Sequence, residues 1–267
     1  MILRHLPGEE GQEDTALGIG VFDGLHLGHQ QLVEEVIGVA HQQSLIPSIL
    51  TFDPPPPVLL EEPGFRPLLT LSEKVELLEK MGVVILFILR FTWELSNLSA
   101  SQFIQAILQW AHPRVIIVGS NFYFGREREG NAQALVEFGQ SQDFQVRVLP
   151  LMEDPEGGPI SSSRIRQLLA QGKVQDANRL LGHPYHAFFN LDHRTGAYQA
   201  KGEGKLLPQD GHYRLLLEPG LLYRDGIISE GRLQLSGNPP SRLSVSFLER
   251  IGPSPLPSPR CGKISPS

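Results

Sequence analysis

The chain has 267 residues, 40% hydrophobic and 19% charged, enough to bury a sizeable core in one or two domains. Its formal net charge of -6 at pH 7 excludes a general attraction to nucleic acid or to an anionic membrane, so any anion must be held at a local site. A single cysteine, Cys261, excludes an internal disulfide and a cysteine-built zinc site.

The acidic start, MILRHLPGEEGQED, lacks the apolar core of a signal peptide. The longest apolar run, VVILFIL at 83–89, is far short of the roughly 20 residues that span a bilayer, so a cytoplasmic protein without membrane contact is expected. ALGIGVF at 16–22 is a short apolar run stopped by Asp-Gly, the pattern of a buried strand. Beyond Gly28, HQQLVEEVIGVAHQQ puts Leu32, Val33, Val36, Ile37 and Ala40 on one helical face. IPSILTF is a second strand, halted by the prolines Pro54 to Pro57. SEKVELLEKMG predicts a helix with Ser72 as its N-cap and Gly82 beyond its end, and VVILFIL is a third strand.

SASQFIQAILQW carries a capping box, Ser99 with Gln102, and so opens another helix. RVIIVG is a fourth strand, NAQALVEFGQSQ a helix and FQVRVLP a fifth strand. SSSRIRQLLAQG and VQDANRLLG close the series as two short helices. Strands and helices alternating in this way give right-handed crossovers and a doubly wound parallel sheet over residues 1–182. From 183 to 252 the texture becomes short alternating stretches such as HYRLLLE and RLSVSFLERI between Gly and Pro turns, a small antiparallel β domain. Residues 253–267, proline- and serine-rich, are expected to form a disordered tail.

Ligands of open parallel sheets bind beyond the carboxyl ends of the strands. The unusual residues fall there: DGLHLGH after the first strand, DPPPP after the second, GSNFYFGREREGN after the fourth, and SSSRIR in the loop and helix after the fifth. In the first motif Gly24 and Gly28 allow close backbone approach, and the following helix offers unpaired N–H groups to an anion. His26 and His29, charged or neutral, add donors for a phosphate whose charge grows during substitution. The plainer reading is a tight turn with two surface histidines. A dinucleotide fingerprint from Gly18, Gly20 and Gly24, with Asp53 as the ribose acid, is one residue too long and leaves both histidines unexplained.

Ser161 to Arg166 supply hydroxyls at a helix start and two guanidinium groups, a polyphosphate cradle or simply a capped surface helix. Arg164 and Arg166 point in different helical directions, so one at most faces the site. In the fourth-strand motif, aromatic faces and the amide of Asn121 suit a planar heterocycle, although Phe122, Tyr123 and Phe124 also suit a core. The His26/His29 pair has no third ligand at suitable spacing, which argues against a metal site there. The sequence contains neither G-x-S-x-G nor a Walker A motif.

Together GVFDGLHLGH, TFDPPP, LTLSEKVELLEKMGV, LSASQFIQAIL, VGSNFYFGREREGN and ISSSRIRQLLAQGKVQDANRLLGHPY occur in the order found in bacterial FAD synthetases. Those are bifunctional riboflavin kinase/FMN adenylyltransferases with a Rossmann-like HxGH nucleotidylyltransferase domain, and the resemblance runs nearly continuously over residues 17–185. It implies transfer of AMP from ATP to FMN, with Mg2+ accompanying the ATP. His26 and His29 would then be catalytic; Phe22, Asp23, Gly24, Gly28, Ser162, Ser163 and Arg166 would bind ATP. Asp53, Pro54, Asn121, Phe124, Arg126 and Asn131 would form the FMN side.

Two departures stand out. Pro55 occupies a position that is usually histidine, and GHPY leads into a segment without the P-T-A-N loop of the kinase barrel. The second domain therefore resembles a shortened, degenerate kinase barrel, and no riboflavin kinase activity is expected of it. An HxGH adenylyltransferase for another nucleotide-like substrate, or a flavin carrier without chemistry, are the competing readings.

Overall fold

The computed structural model describes residues 1–59, 65–202, 204–218, 221–237 and 240–252. The expected tail at 253–267 lies outside them. The chain divides into two compact units. The first comprises Met1–Gln167, Arg179–His183 and Gly202–Leu206; the second comprises Leu168–Asn178, Pro184–Lys201 and the remainder from Leu207.

In the first unit, β1 (Ile2–Leu6), β2 (Thr15–Ile19), β3 (Ile46–Phe52), β4 (Ile85–Leu89), β5 (Pro113–Gly119) and β8 (Gln145–Leu149) form a sheet in the order β1-β4-β3-β2-β5-β8. Every pairing in it is parallel. Between β5 and β8 lies a small hairpin, β6 (Tyr123–Phe124) with β7 (Gly130–Asn131). The helices are α1 (Leu27–Gln43), α2 (Pro56–Leu59), α3 (Leu71–Lys80), α4 (Trp93–Ser96), α5 (Ala100–Ala111) and α6 (Ala132–Gln142). Two more, α7 (Ser162–Ala170) and α8 (Val174–Leu181), follow β8 and are divided between the units, Leu168–Asn178 belonging to the second.

Two apolar layers flank the sheet. Alternate strand residues such as Leu17, Ile19, Leu50 and Phe87 pack with Phe103, Ile104 and Ile107 of α5 and Leu135 of α6. Ala16, Ile49, Leu86 and Ile117 pack instead with Val33, Val36 and Ala40 of α1 and Leu78 of α3. Both faces are thus covered, as a parallel sheet requires.

The structure corrects the sequence reading at several points: the expected first strand over 16–22 ends at Ile19, as β2, and Phe22 lies in the turn beyond it. The sheet has a strand before the first one expected, β1 at an edge, with Ile2 and Leu3 exposed. The helix containing SEKVELLEK is capped by Thr70, not Ser72: Thr70 and Glu73 make the capping box. The box at Ser99 and Gln102 forms as expected and opens α5.

In the second unit, β9 (Tyr185–Leu191), β10 (Tyr198–Ala200), β11 (Gly211–Glu218), β12 (Leu222–Ser229), β13 (Arg232–Leu235) and β14 (Arg242–Ile251) close into an antiparallel barrel, in the order β10-β13-β12-β11-β14-β9. Its interior is filled by alternating residues, among them Tyr185, Ala187, Phe189, Tyr213, Leu215, Val245 and Phe247. Although short, the β domain is a complete ring of strands.

Candidate active site

The strand order reverses beside β2, whose neighbours are β3 on one side and β5 on the other. A crevice opens at such a switch, beyond the carboxyl ends of the strands. The chain leaving β2 at this point turns sharply: Phe22, Gly24 and Leu25 all have left-handed backbones, with φ of 50°, 86° and 45°. For Phe22 and Leu25 that conformation costs on the order of 1–3 kcal/mol each. Both side chains are fully buried and offset the cost by packing. The elbow delivers His26 to the N-cap of α1.

The His26 carbonyl accepts from the N–H groups of His29 (2.7 Å) and Gln30 (3.0 Å). Its ring Nδ1 also accepts from His29 N–H, at 3.4 Å, which leaves the ring proton on Nε2. The two imidazoles stack with centroids 3.7 Å apart at 16°, and Phe22 tilts against the His29 ring. Stacked, enclosed rings resist protonation. Burial pushes His26 down to about 4, opposed by its backbone hydrogen bond. His29 lies well below its ordinary value, first through burial, then through the neighbouring His26 and Lys74. As a residue His29 keeps some exposure, but its Nδ1 is sealed from solvent and has no hydrogen-bond partner. Both imidazoles are neutral donors and acceptors at pH 7.

Asp23 joins the elbow to the distant serine–arginine helix. Its Oδ1 accepts from the N–H groups of Leu68 (2.8 Å) and Leu69 (3.1 Å). Its Oδ2 pairs with Arg166 Nη2, and its carbonyl accepts from the Ser162 hydroxyl at 2.7 Å. Arg166 is further fixed by donating to the Arg66 carbonyl at 2.9 Å and by lying over the Phe65 ring at 4.4 Å. Arg164 turns elsewhere, to the buried Asp154, which Arg179 also engages. Ser163 is exposed on the first turn of α7, and the hydroxyl of Ser161 accepts from Arg164 N–H. Gly28 lies in the first turn of α1, against the His26 ring. His183 Nε2 lies 3.2 Å from the Gly24 carbonyl.

Lys74, which sequence reasoning did not single out, lies beneath the elbow. Its buried Nζ donates to the Val21 carbonyl (2.7 Å) and to Thr51 Oγ1 (2.9 Å). Desolvation lowers its pKa to about 8, against the pull of Asp23 and Asp53. The signal was available: Lys74 stands four residues before the buried Leu78, on the face of α3 that packs against the sheet.

Exposed Asp53 and half-buried Pro54, after β3, line a cavity of about 780 Å³ together with His5, Leu89, Leu95, Leu98 and Trp110. Asn121, Phe124, Arg126 and Asn131 are not in its lining, but Arg126 N–H donates to the carbonyl of Leu98, which is. Asn121 and Arg126 are exposed. Phe124 is buried between Phe103 and Phe122, and Asn131 Oδ1 accepts from Ala134 N–H as the cap of α6.

A doubly wound parallel sheet with a histidine-bearing elbow at its switch point defines a Rossmann-like α/β protein. Residues 8–164 match the family model for FAD synthetase, and the chain belongs to that family. It is 33% identical over 174 residues to a bifunctional riboflavin kinase/FMN adenylyltransferase of Listeria monocytogenes, covering 64% of this chain and 55% of that protein. To the Escherichia coli K12 protein of the same description it is 34% identical over 185 residues, covering 68% and 58%. The matched part thus spans little more than half the length of these relatives. The crystal structure of a macrolide-efflux protein from Streptococcus pneumoniae superposes with a TM-score of 0.81 at 24% identity, over 97% of this chain and 94% of that one. At that identity the likeness concerns the fold alone.

Proposed function

We propose that the chain is a cytoplasmic FMN adenylyltransferase: it transfers AMP from ATP to FMN, releases pyrophosphate and lacks riboflavin kinase activity. The observation that carries this reading is the junction at Asp23, where the histidine elbow and the Ser162–Arg166 corner meet. A site that gathers a helix N-terminus, neutral N–H donors and a guanidinium is built for phosphates.

In the reaction an oxygen of the FMN phosphate attacks the α-phosphorus in line. The bond from that phosphorus to the bridging oxygen breaks, and pyrophosphate leaves with the electron pair. No covalent enzyme intermediate is needed, so the protein aligns the reactants and stabilises charge. His26 and His29, neutral at pH 7, donate N–H to the α-phosphate oxygens without first losing a proton. Phe22, Asp23, Gly24 and Gly28 shape the nucleotide side, and Ser162, Ser163 and Arg166 hold the leaving phosphates. Lys74 adds positive charge from below. Asp53 and Pro54, with Asn121 and Arg126, form the FMN side, supported from behind by Phe124 and by Asn131 at the start of α6.

Among the described residues no three His, Cys, Asp or Glu side chains gather as a metal cage. Magnesium is accordingly read as arriving on the ATP phosphates, with its waters, and no step is routed through it. The absence of a P-T-A-N segment from the sequence supports the lack of kinase activity.

The test is purified protein with magnesium-ATP and, separately, FMN, riboflavin or phosphopantetheine, with products resolved by chromatography. FAD from FMN alone is expected. FMN from riboflavin would overturn the statement about the barrel, and flavin binding without turnover would replace the enzyme by a carrier.

A further inference from the structure

Gly202–Leu206 lies in sequence between β10 and β11, yet it belongs to the first unit. It runs against the loop that precedes α3. Gly202, with φ +107°, lies so close to Thr70 that a Cβ there would overlap Thr70 Cγ2. The Leu206 N–H donates to the Pro67 carbonyl at 3.1 Å. Between them Lys205 Nζ donates to the Leu68 carbonyl at 2.8 Å and to Glu73 Oε2 at 2.6 Å. Both charged side chains are entirely enclosed, at 0% exposure each. Glu73 Oε2 also accepts from Thr70 N–H at 2.7 Å and so completes the cap of α3.

The other edge of this loop faces the elbow: the amides of Leu68 and Leu69 hold Asp23 Oδ1. The carbonyl of Leu68 goes to Lys205, and its amide goes to Asp23. A buried ion pair adds little to stability compared with apolar residues of the same volume, because both charges must be stripped of water. What it does supply here is a fixed place for one short piece of backbone. We infer that Lys205 is a positioning residue for the nucleotide site: it clamps Leu68–Leu69, whose amides set the carboxylate of Asp23, which in turn orients Arg166 and Ser162. The inference rests on the adenylyl-transfer reading.

The variants are Lys205→Met and the double variant Lys205→Met/Glu73→Gln, made in the full chain. The double variant leaves no lone buried charge, and the glutamine side chain retains an oxygen for Thr70 N–H. Steady-state FAD formation is measured over ATP and FMN separately, and amide hydrogen exchange is followed with and without magnesium-ATP. Small misplacements of a reacting group are costly, so KM for ATP should rise about 10- to 100-fold while KM for FMN holds. The Leu68 and Leu69 amides should lose protection while those of β4 keep theirs. An unchanged KM for ATP, unchanged exchange at Leu68 and Leu69, or an equal loss of protection throughout the sheet would each overturn the inference. If the unaltered protein forms no FAD, the adenylyl-transfer reading is what fails. Exchange at Leu68 and Leu69 then still decides whether Lys205 holds the loop on Asp23.

Discussion

Arg166 lies 143 residues downstream of Asp23, and its guanidinium is paired with that carboxylate at the elbow. Both side chains are largely enclosed, at 19% and 5% exposure. Because Asp23 also receives two backbone amides, removing Arg166 leaves the carboxylate held but, in the proposed reaction, takes the cation from the leaving phosphates. A charged hydrogen bond is worth about 1.5–3 kcal/mol, which corresponds to roughly 10- to 100-fold in an equilibrium or rate. Arg166→Met should lower kcat/KM for ATP by that factor, read from initial rates of FAD formation. An unaltered kcat/KM would place the guanidinium outside the nucleotide site.

The His29 ring stacks on that of His26 at the elbow. If it meets the α-phosphate as charge develops, losing it removes a transition-state donor. His29→Ala should reduce kcat by about 100-fold or more without unfolding the chain, as followed by circular dichroism. Near-normal turnover would assign the imidazole to packing alone.

The stacked histidines also make a prediction about acid. Folding lowers the His26 pKa from the ordinary 6.5 to about 4, so the unfolded chain takes up this proton first as the pH falls. Stability is unaffected by this group above pH 6.5, declines between 6.5 and 4, and has lost the whole contribution, roughly 3 kcal/mol, below 4. Urea unfolding at pH 7 and pH 4.5 measures the decline in the wild-type chain and in His26→Asn, which keeps an N-cap acceptor and should show less of it. A His26 proton resonance titrating near 6.5 would contradict the enclosure.

Lys74 titrates from the other side. With its pKa near 8, the ammonium is charged at pH 7 and is lost as the pH climbs past 8. The rate profile for ATP should show that falling limb. Lys74→Met should lower the neutral-pH rate by roughly 10-fold, the scale of one charged hydrogen bond, and abolish the limb. A limb that survives in the variant would belong to another group.

Gly24 provides a test of the elbow independent of catalysis. A Cβ at this position would come within 2.8 Å of Leu68 Cδ1, and φ is +86°. Leu68 can swing aside, but the backbone penalty stays, so Gly24→Ala should cost about 1–2 kcal/mol in denaturant unfolding. A neutral effect would show that the turn can relax.

Much of this was legible from pattern. IPSILTF matches β3 in both bounds, and Ser99 with Gln102 opens α5. Those features depend only on neighbouring residues. β1 escaped because an edge strand need bury only part of itself: Ile2 and Leu3 face solvent, and neither a continuous apolar run nor an alternation is left to see. The true cap of α3 was spelled out as T-x-x-E at residues 70–73, and the reciprocal pair prevails over a lone serine. Lys74, Glu73 and Lys205 were harder. A single charge reads as solvent-facing, and each of these is buried with a partner that sequence order does not reveal. The meeting of Ser162 and Arg166 with Asp23 likewise arises only when the sheet brings the ends of its strands together.

The ring of strands in the second unit has a consequence of its own. Among the described residues every strand there has a neighbour on both sides, so the ring offers no open edge to another chain as a template for aggregation.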